Sequence, residues 1–122
     1  MKNILLVEDE ENLVDIVASV LEEEGFSVQK SKSAEEALAI LPDYIPDLII
    51  SDMKMGKIDG FAMLEKIRGT NKLKDIPFIC VTALSDSSSE LKAKKLGATA
   101  YVTKPFDIED LLKVVKKALL TR

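Results

Sequence analysis

The sequence contains no histidine and only one cysteine, Cys80, in 122 residues. Without histidine there is no Ser-His-Asp or Cys-His catalysis, no His-ligated zinc and no phosphohistidine on this chain. A single cysteine makes neither an intramolecular disulfide nor a Cys-rich zinc site. No apolar run approaches the ~18 residues that a membrane span needs. No signal peptide is expected, because the apolar stretch after Lys2 is short and runs into Glu8-Asp9-Glu10-Glu11. Positive charge is in the minority: 17 basic residues face 21 acidic ones, for a net charge of −4. Such a chain gains no electrostatic help on a phosphate backbone, so direct nucleic-acid binding by this domain is not expected. Low-complexity stretches, internal repeats and linkers are also missing. The chemistry left to it must use carboxylates, hydroxyls, lysines, the backbone and a hard metal.

What is present is globular. Hydrophobic residues make up 47% and charged residues 31%. The length suits one domain over residues 1–122, with chain enough to bury about two-thirds of its unfolded surface. Short apolar runs alternate with helix-period segments five times. Ile4-Leu-Leu-Val7 is the first run. Leu13, Ile16, Val17, Val20 and Leu21 follow at the spacing of one helical face. Gly25 is placed to end that helix in a left-handed conformation.

Phe26–Lys30 predicts a short, more polar strand. Ser33-Ala-Glu-Glu36 is a capping box opening a helix through Leu41. Asp47–Ser51 predicts the third strand. A helix near Asp59-Gly60 carries Phe61, Leu64 and Ile67 and ends at Gly69. Ile76–Val81 predicts the fourth strand. Ser87-Ser-Ser-Glu90 reads as a second capping box, its helix stopping near Gly97. Ala100–Thr103 predicts the fifth strand, and Asp107 caps a last helix with Leu111, Leu112, Val115, Ala118 and Leu119 on one side.

Strict β-α alternation predicts a parallel sheet with right-handed crossovers and helices on both faces. Strands one, three and four are continuously apolar, as strands covered on both faces should be. Strands two and five carry polar residues and belong at the edges. The expected fold is α/β: a single doubly wound domain, flavodoxin-like, with a five-stranded parallel sheet of order 2-1-3-4-5 and five helices.

In such a sheet the site lies beyond the carboxyl ends of the strands, where the strand order reverses. Strand one is followed by Glu8 and Asp9, strand three by Asp52, strand four by Thr82, and strand five by Lys104 and Pro105. Taken singly, each has a plainer reading: Glu8-Asp9 as a solvated helix start, Thr82 as a β-branched strand end, Lys104 as a surface lysine. Together they converge. Two ionised carboxylates at ~4 Å and an effective dielectric near 20 repel by roughly 4 kcal/mol, so the group needs a proton or a cation. Mg²⁺ suits it, being held by one or two carboxylates, waters and substrate phosphate oxygens. Thr82 and Lys104 are placed to engage phosphoryl oxygens. Such a set suits phosphoryl transfer onto a carboxylate.

The residues that carry this reading also carry a resemblance. Ile4-Leu-Leu-Val-Glu-Asp-Glu10, Pro46-Asp-Leu-Ile-Ile-Ser-Asp52, Ile58-Asp-Gly60, Pro77–Ala83, Leu96-Gly-Ala98 and Lys104-Pro-Phe106 occur in order at the spacing of response-regulator receiver domains. The chain resembles that family over its whole length. The resemblance implies that Asp52 is the phosphoacceptor, served by a phosphohistidine on a sensor histidine kinase. It implies that Glu8, Asp9 and Asp52, with the backbone carbonyl of Lys54, bind Mg²⁺, with Mn²⁺ as a substitute. It makes Thr82 and Lys104 the grip on the phosphoryl oxygens, Tyr101 an aromatic switch that follows Thr82, and the peptide before Pro105 cis. It further implies a cytoplasmic protein, a downstream protein target that the residues do not identify, no membrane partner, and a monomer or a phosphorylation-dependent dimer. The face around the fourth helix, fifth strand and fifth helix is the implied partner surface. The chain is read as a stand-alone receiver, not an enzyme with external turnover.

One departure concerns the loop after Asp52. The family usually has proline four residues past the acceptor, and this chain has Gly56, which loosens the backbone there. Lys54 is long enough to reach over a phosphoryl group and so to change the lifetime of the phosphorylated state. Other classes fit less well. A dehalogenase-type phosphatase needs a second aspartate where Lys54 stands. A flavodoxin-like electron carrier needs a phosphate loop of small hydroxyl residues where Glu8–Glu11 stand. A degenerate receiver that binds partners without phosphorylation remains as the alternative. Cys80, Met53, Met55 and Met63 read as packing residues, and Lys92, Lys94, Lys95, Lys113, Lys116 and Lys117 as solvated helix faces.

Overall fold

The computed structural model describes residues 1–54 and 58–120. The expectations placed on Met55 and Gly56 therefore lie outside the described residues. Among the described residues five strands alternate with five helices. They are β1 (Asn3–Val7), α1 (Glu11–Glu23), β2 (Ser27–Ser31), α2 (Ala34–Ile40), β3 (Leu48–Ser51), α3 (Gly60–Arg68), β4 (Phe78–Thr82), α4 (Ser87–Lys95), β5 (Ala100–Thr103) and α5 (Ile108–Leu120). All pairings are parallel and the order is β2-β1-β3-β4-β5. The apolar strands sit in the middle and the more polar β2 and β5 at the edges, as their composition requires.

The alternation of side chains along each strand divides the core in two. Ile4, Leu6, Leu48, Ile50, Ile79 and Val81 face Val17, Leu21, Leu111 and Val115 of α1 and α5. Leu5, Val7, Ile49, Phe78 and Cys80 face the other way, among Ala37, Leu64, Ile67 and Ala93 of α2, α3 and α4. Met53 and Met63 pack in this second layer. Cys80 is free and buried there, and burial pushes its thiol up to about 12. It is a small hydrophobe, because burial outweighs the Arg68 charge that favours its ionisation.

The caps differ from the sequence reading at two places. Ser33 Oγ accepts from Glu36 N at 3.1 Å, but Glu36 Oε1 reaches back to Lys32 N, at 3.1 Å, one residue before its expected partner. At α4 the cap is Asp86 rather than Ser87. Its carboxylate accepts from Ser89 N at 2.9 Å and from the hydroxyls of Ser88 and Ser89. A carboxylate at the helix start gains from the macrodipole, and these bonds hold Asp86 down to about 2. Gly25 and Gly97 end α1 and α4 at φ +95 and +102, where a side chain would be strained.

The register sets up everything that follows. Val7 pairs with Ser51, so the next residues, Glu8 and Asp52, leave adjacent strands side by side. Thr82 pairs with Thr103, which brings Lys104 beside the end of β4. The Lys104–Pro105 and Leu41–Pro42 peptides are both cis. No described helix is long and apolar enough to cross a membrane.

Candidate functional site at the carboxyl edge of the sheet

Backbone bonds fix the start of each loop. Asp52 N donates to Val7 O at 3.0 Å, Glu8 N to Ser31 O at 3.0 Å, and Lys104 N to Thr82 O at 2.8 Å. Ser51 is fully buried, and its hydroxyl donates to Asp52 O at 2.8 Å. These bonds bring the ends of all five strands together along one edge.

Glu8, Asp9 and Asp52 each place a carboxylate oxygen within 4.8 Å of the others. Glu8 and Asp52 are buried and Asp9 is exposed. Lys54 N donates to Asp52 Oδ1 at 3.1 Å, and Glu10 N to Glu8 Oε2 at 3.2 Å. The Lys104 ammonium lies between the two buried acids, 2.8 Å from Glu8 Oε1 and 3.2 Å from Asp52 Oδ2. The sequence reading gave Lys104 to the phosphoryl group alone. In this structure it already serves both carboxylates.

An ion pair by itself would lower the pKa of Glu8. Here burial outweighs the bonds from Lys104 and Glu10, and with help from the Asp52 charge it holds Glu8 above the usual carboxylate value. For Lys104 burial works downward, yet the bond to Glu8 and the charges of Asp52 and Glu8 win and raise it. Lys104 is therefore cationic at any ordinary pH.

The donor set fits a hard cation. Three carboxylates with no imidazole or thiolate beside them suit Mg²⁺ or Mn²⁺ and not zinc. Two of the three are already drawn together by an ammonium at the same edge.

Thr82 and Tyr101 meet at one residue. Leu84 N donates to Thr82 Oγ1 at 3.2 Å, and Tyr101 OH donates to Leu84 O at 2.7 Å. Thr82 is wholly buried and the Tyr101 ring is partly so, against the α2–α4 layer. Leu84 thus joins the two side chains that the resemblance had already linked, and no sequence signal marks it. The other omissions are Ser51, the buried donor behind Asp52, and Glu35, whose Oε1 accepts from Ile58 N at 2.6 Å across the loop after β3.

Residues 4–116 match the response regulator receiver domain family. The chain belongs to that family. A putative response regulator from Chloroflexus aurantiacus superposes with a TM-score of 0.92 at 30% identity, over 98% of each chain. The chemotaxis response regulator CheY4 of Vibrio cholerae does so with a TM-score of 0.91 at 30% identity, over 97% of this receiver and 98% of that chain. The receiver is 35% identical to the DNA-binding dual master transcriptional regulator RpaA of Synechocystis, matching 100% of its own length and 50% of the regulator's. It spans about half the length of several of the curated relatives that it matches. Receiver domains of response regulators belong to two-component signalling and are signalling proteins rather than turnover enzymes.

Proposed function

We propose that residues 1–122 form one receiver domain that takes a phosphoryl group onto Asp52 from the phosphohistidine of a sensor histidine kinase, in a Mg²⁺-dependent reaction, and thereby alters its partner surface. The observation that carries this reading is the convergence of Glu8, Asp9 and Asp52 within 4.8 Å, with the Lys104 ammonium on two of them. Glu8, Asp9, Asp52 and the Lys54 carbonyl would hold the ion. When bound, the ion neutralises charge on the carboxylates and on the incoming phosphoryl oxygens.

The chain's own residues do the rest. An Asp52 carboxylate oxygen forms the new P–O bond as the donor P–N bond breaks, and the electron pair leaves with the imidazole. The product is an acyl phosphate. Lys104 stands beside Asp52 and pairs with a phosphoryl oxygen. Among the described residues Thr82 Oγ1 only accepts, from Leu84 N, so its hydroxyl proton is available to a second phosphoryl oxygen. Movement of Thr82 toward the phosphoryl group disturbs the bond at Leu84, and the Tyr101 hydroxyl on the same residue feels the change. A charge of about −1.5 to −2 at Asp52 thus biases the face formed by α4, β5 and α5. This is the proposed surface for a downstream protein, as monomer or phosphorylation-dependent dimer.

A protein donor is supported by a groove at Lys104, lined by Leu13, Ile16, Ala83, Pro105, Phe106 and Ile108 together with the acidic Glu10. A cytoplasmic setting accords with a kinase donor. Control of DNA, as the name of RpaA states for that protein, would need a domain besides this one.

The test is intact mass after incubation with acetyl phosphate and Mg²⁺. A gain of one phosphoryl group is expected in the wild type and none in Asp52→Asn or with a chelator. No gain in the wild type would replace this reading with that of a phosphorylation-independent binding module. A second prediction concerns Lys54, which is exposed and bonds to Asp52 only through its amide. Its side chain sits two residues past the acceptor, so Lys54→Ala is expected to change the rate of acyl phosphate loss. Equal rates would remove any role for the side chain.

A further inference from the structure

Strand β3 runs Leu48-Ile-Ile-Ser51, and all four residues are buried. Ser51 alone among them carries a polar side chain. A buried hydroxyl costs free energy unless it finds a partner inside, and an alanine at the end of a covered strand would carry no such cost. The partner is the next residue: Ser51 Oγ donates to the Asp52 carbonyl at 2.8 Å, with Ser51 wholly shut off from solvent. Among the described residues no other donor meets that carbonyl.

Asp52 is thereby held through its backbone on both sides. Its amide is fixed to β1 through Val7 O at 3.0 Å, and its carbonyl is fixed to Ser51. A residue has only two soft backbone dihedrals, so bonds on the two flanking peptide planes restrain both. The direction of the Cα–Cβ bond follows. With it goes the point from which the carboxylate meets Lys104 Nζ at 3.2 Å and Lys54 N at 3.1 Å. The next peptide is anchored as well, because Met53 O accepts from Gly60 N at 3.1 Å.

We propose that Ser51 is a positioning residue for the phosphoacceptor: its buried hydroxyl fixes the Asp52 carbonyl and so aims the Asp52 carboxylate at the incoming phosphorus. This inference rests on the reading of Asp52 as the acceptor. Ser51 acts through the backbone of its neighbour and not on the phosphoryl group itself.

The hydroxyl can be separated from the packing. Ser51→Ala removes the hydroxyl and adds nothing. Ser51→Thr keeps it, and Ser51→Val has the shape of threonine without it. Intact mass gives the initial rate of phosphoryl gain over a range of acetyl phosphate and Mg²⁺ concentrations. Thermal melts show that each variant is folded at the assay temperature. Ser51→Ala is expected to accept phosphoryl groups about 10-fold more slowly, short of the ~100-fold that a 1 Å misplacement costs. The loss should be the same at every donor and Mg²⁺ concentration, because aim and not binding is impaired. Ser51→Thr should be faster than Ser51→Val by a similar factor. A hydroxyl that only steadies the fold would lower Tm and leave the rate of the folded protein unchanged, which would overturn the proposal. Equal rates for Ser51→Thr and Ser51→Val would overturn it too, as would a loss in Ser51→Ala that disappears at high Mg²⁺ or donor. Should the bulkier pair not melt cooperatively, Ser51→Ala decides alone. No phosphoryl gain by the wild type would overturn the acceptor reading, and this inference with it.

Discussion

Lys104→Met is expected to destabilise the unphosphorylated domain by about 3 kcal/mol or more at neutral pH, the usual cost of removing one partner from a buried ionic set. The ammonium lies 2.8 Å from Glu8 and 3.2 Å from Asp52, and the three side chains are 19%, 5% and 10% exposed. Methionine fills the stem of the lysine but leaves two buried carboxylates facing one another. For a domain of this size the loss corresponds to a fall in Tm of roughly 10 °C. The pH dependence has a definite sign. Glu8 already has a raised pKa through burial, and losing the ammonium removes forces that lower it. A carboxyl whose folded pKa is raised favours folding below its unfolded value and disfavours it as pH rises through the folded value. The deficit of Lys104→Met should therefore be small at low pH and grow as pH rises through the raised Glu8 pKa toward neutrality. Lys104 itself, with a raised pKa, supplies its stability in full at neutral pH and loses it only as pH climbs past its folded value. Added Mg²⁺ should restore more stability to the variant than to the wild type, because a bound cation neutralises the same carboxylates. Thermal melts over pH, with and without Mg²⁺, measure all of this. An unchanged Tm at neutral pH would show that the two acids are not charged together.

Much of this site could be read before any coordinates, for a physical reason. In a parallel sheet, the residue after each apolar run must emerge at the same edge. Asp47–Ser51 and Ile76–Val81, like Ile4–Val7, are runs legible in the sequence, so Glu8, Asp52 and Thr82 were expected to be neighbours once the strand order was right, although β4 itself extends through Thr82. Polar residues in β2 and β5 placed those strands at the edges, which accords with the observed order and its reversal between β1 and β3. What stayed hidden depends on side-chain reach. Lys104 and Glu8 lie 96 residues apart, and nothing in either segment states that the ammonium would bridge both acids. The Glu35–Ile58 bond is hidden in the same way, because Glu35 reads as an ordinary first-turn acid of α2. The cap of α4 was misread because Ser87–Glu90 matches a capping box while Asp86, one residue earlier, is the stronger acceptor. Gly60 was read only as a helix start, since a sequence shows no distances.

That glycine carries the second large effect. Gly60→Ala is expected to lower stability by about 1–3 kcal/mol, as overpacking does, and to slow acceptance of the phosphoryl group far more than the stability loss accounts for. A Cβ at Gly60 would lie 2.7 Å from Asp52 O, from Met53 Cα and from Met53 Sδ. Two of those atoms are backbone and cannot rotate away. Helix α3 cannot easily retreat, because Met63, Leu64 and Ile67 are wholly buried beneath it. The strain must then pass to the Asp52–Met53 segment, where the Ser51 hydroxyl bond to Asp52 O and the Gly60 N bond to Met53 O hold the acceptor in place. A reacting group displaced by about 1 Å typically loses on the order of 100-fold in rate. Gly69→Ala is the matched control: it lies at the other end of α3 with φ −88, and its nearest contacts are 3.4 and 3.7 Å. It should fold and accept phosphoryl groups as the wild type does. Denaturant melts and the initial rate of phosphoryl gain from acetyl phosphate compare the two. Equal rates for Gly60→Ala and Gly69→Ala would mean that the close approach of α3 does not position Asp52. A rate loss confined to Gly60→Ala, in a domain that still melts cooperatively, would show that helix packing at this one residue sets the acceptor's geometry.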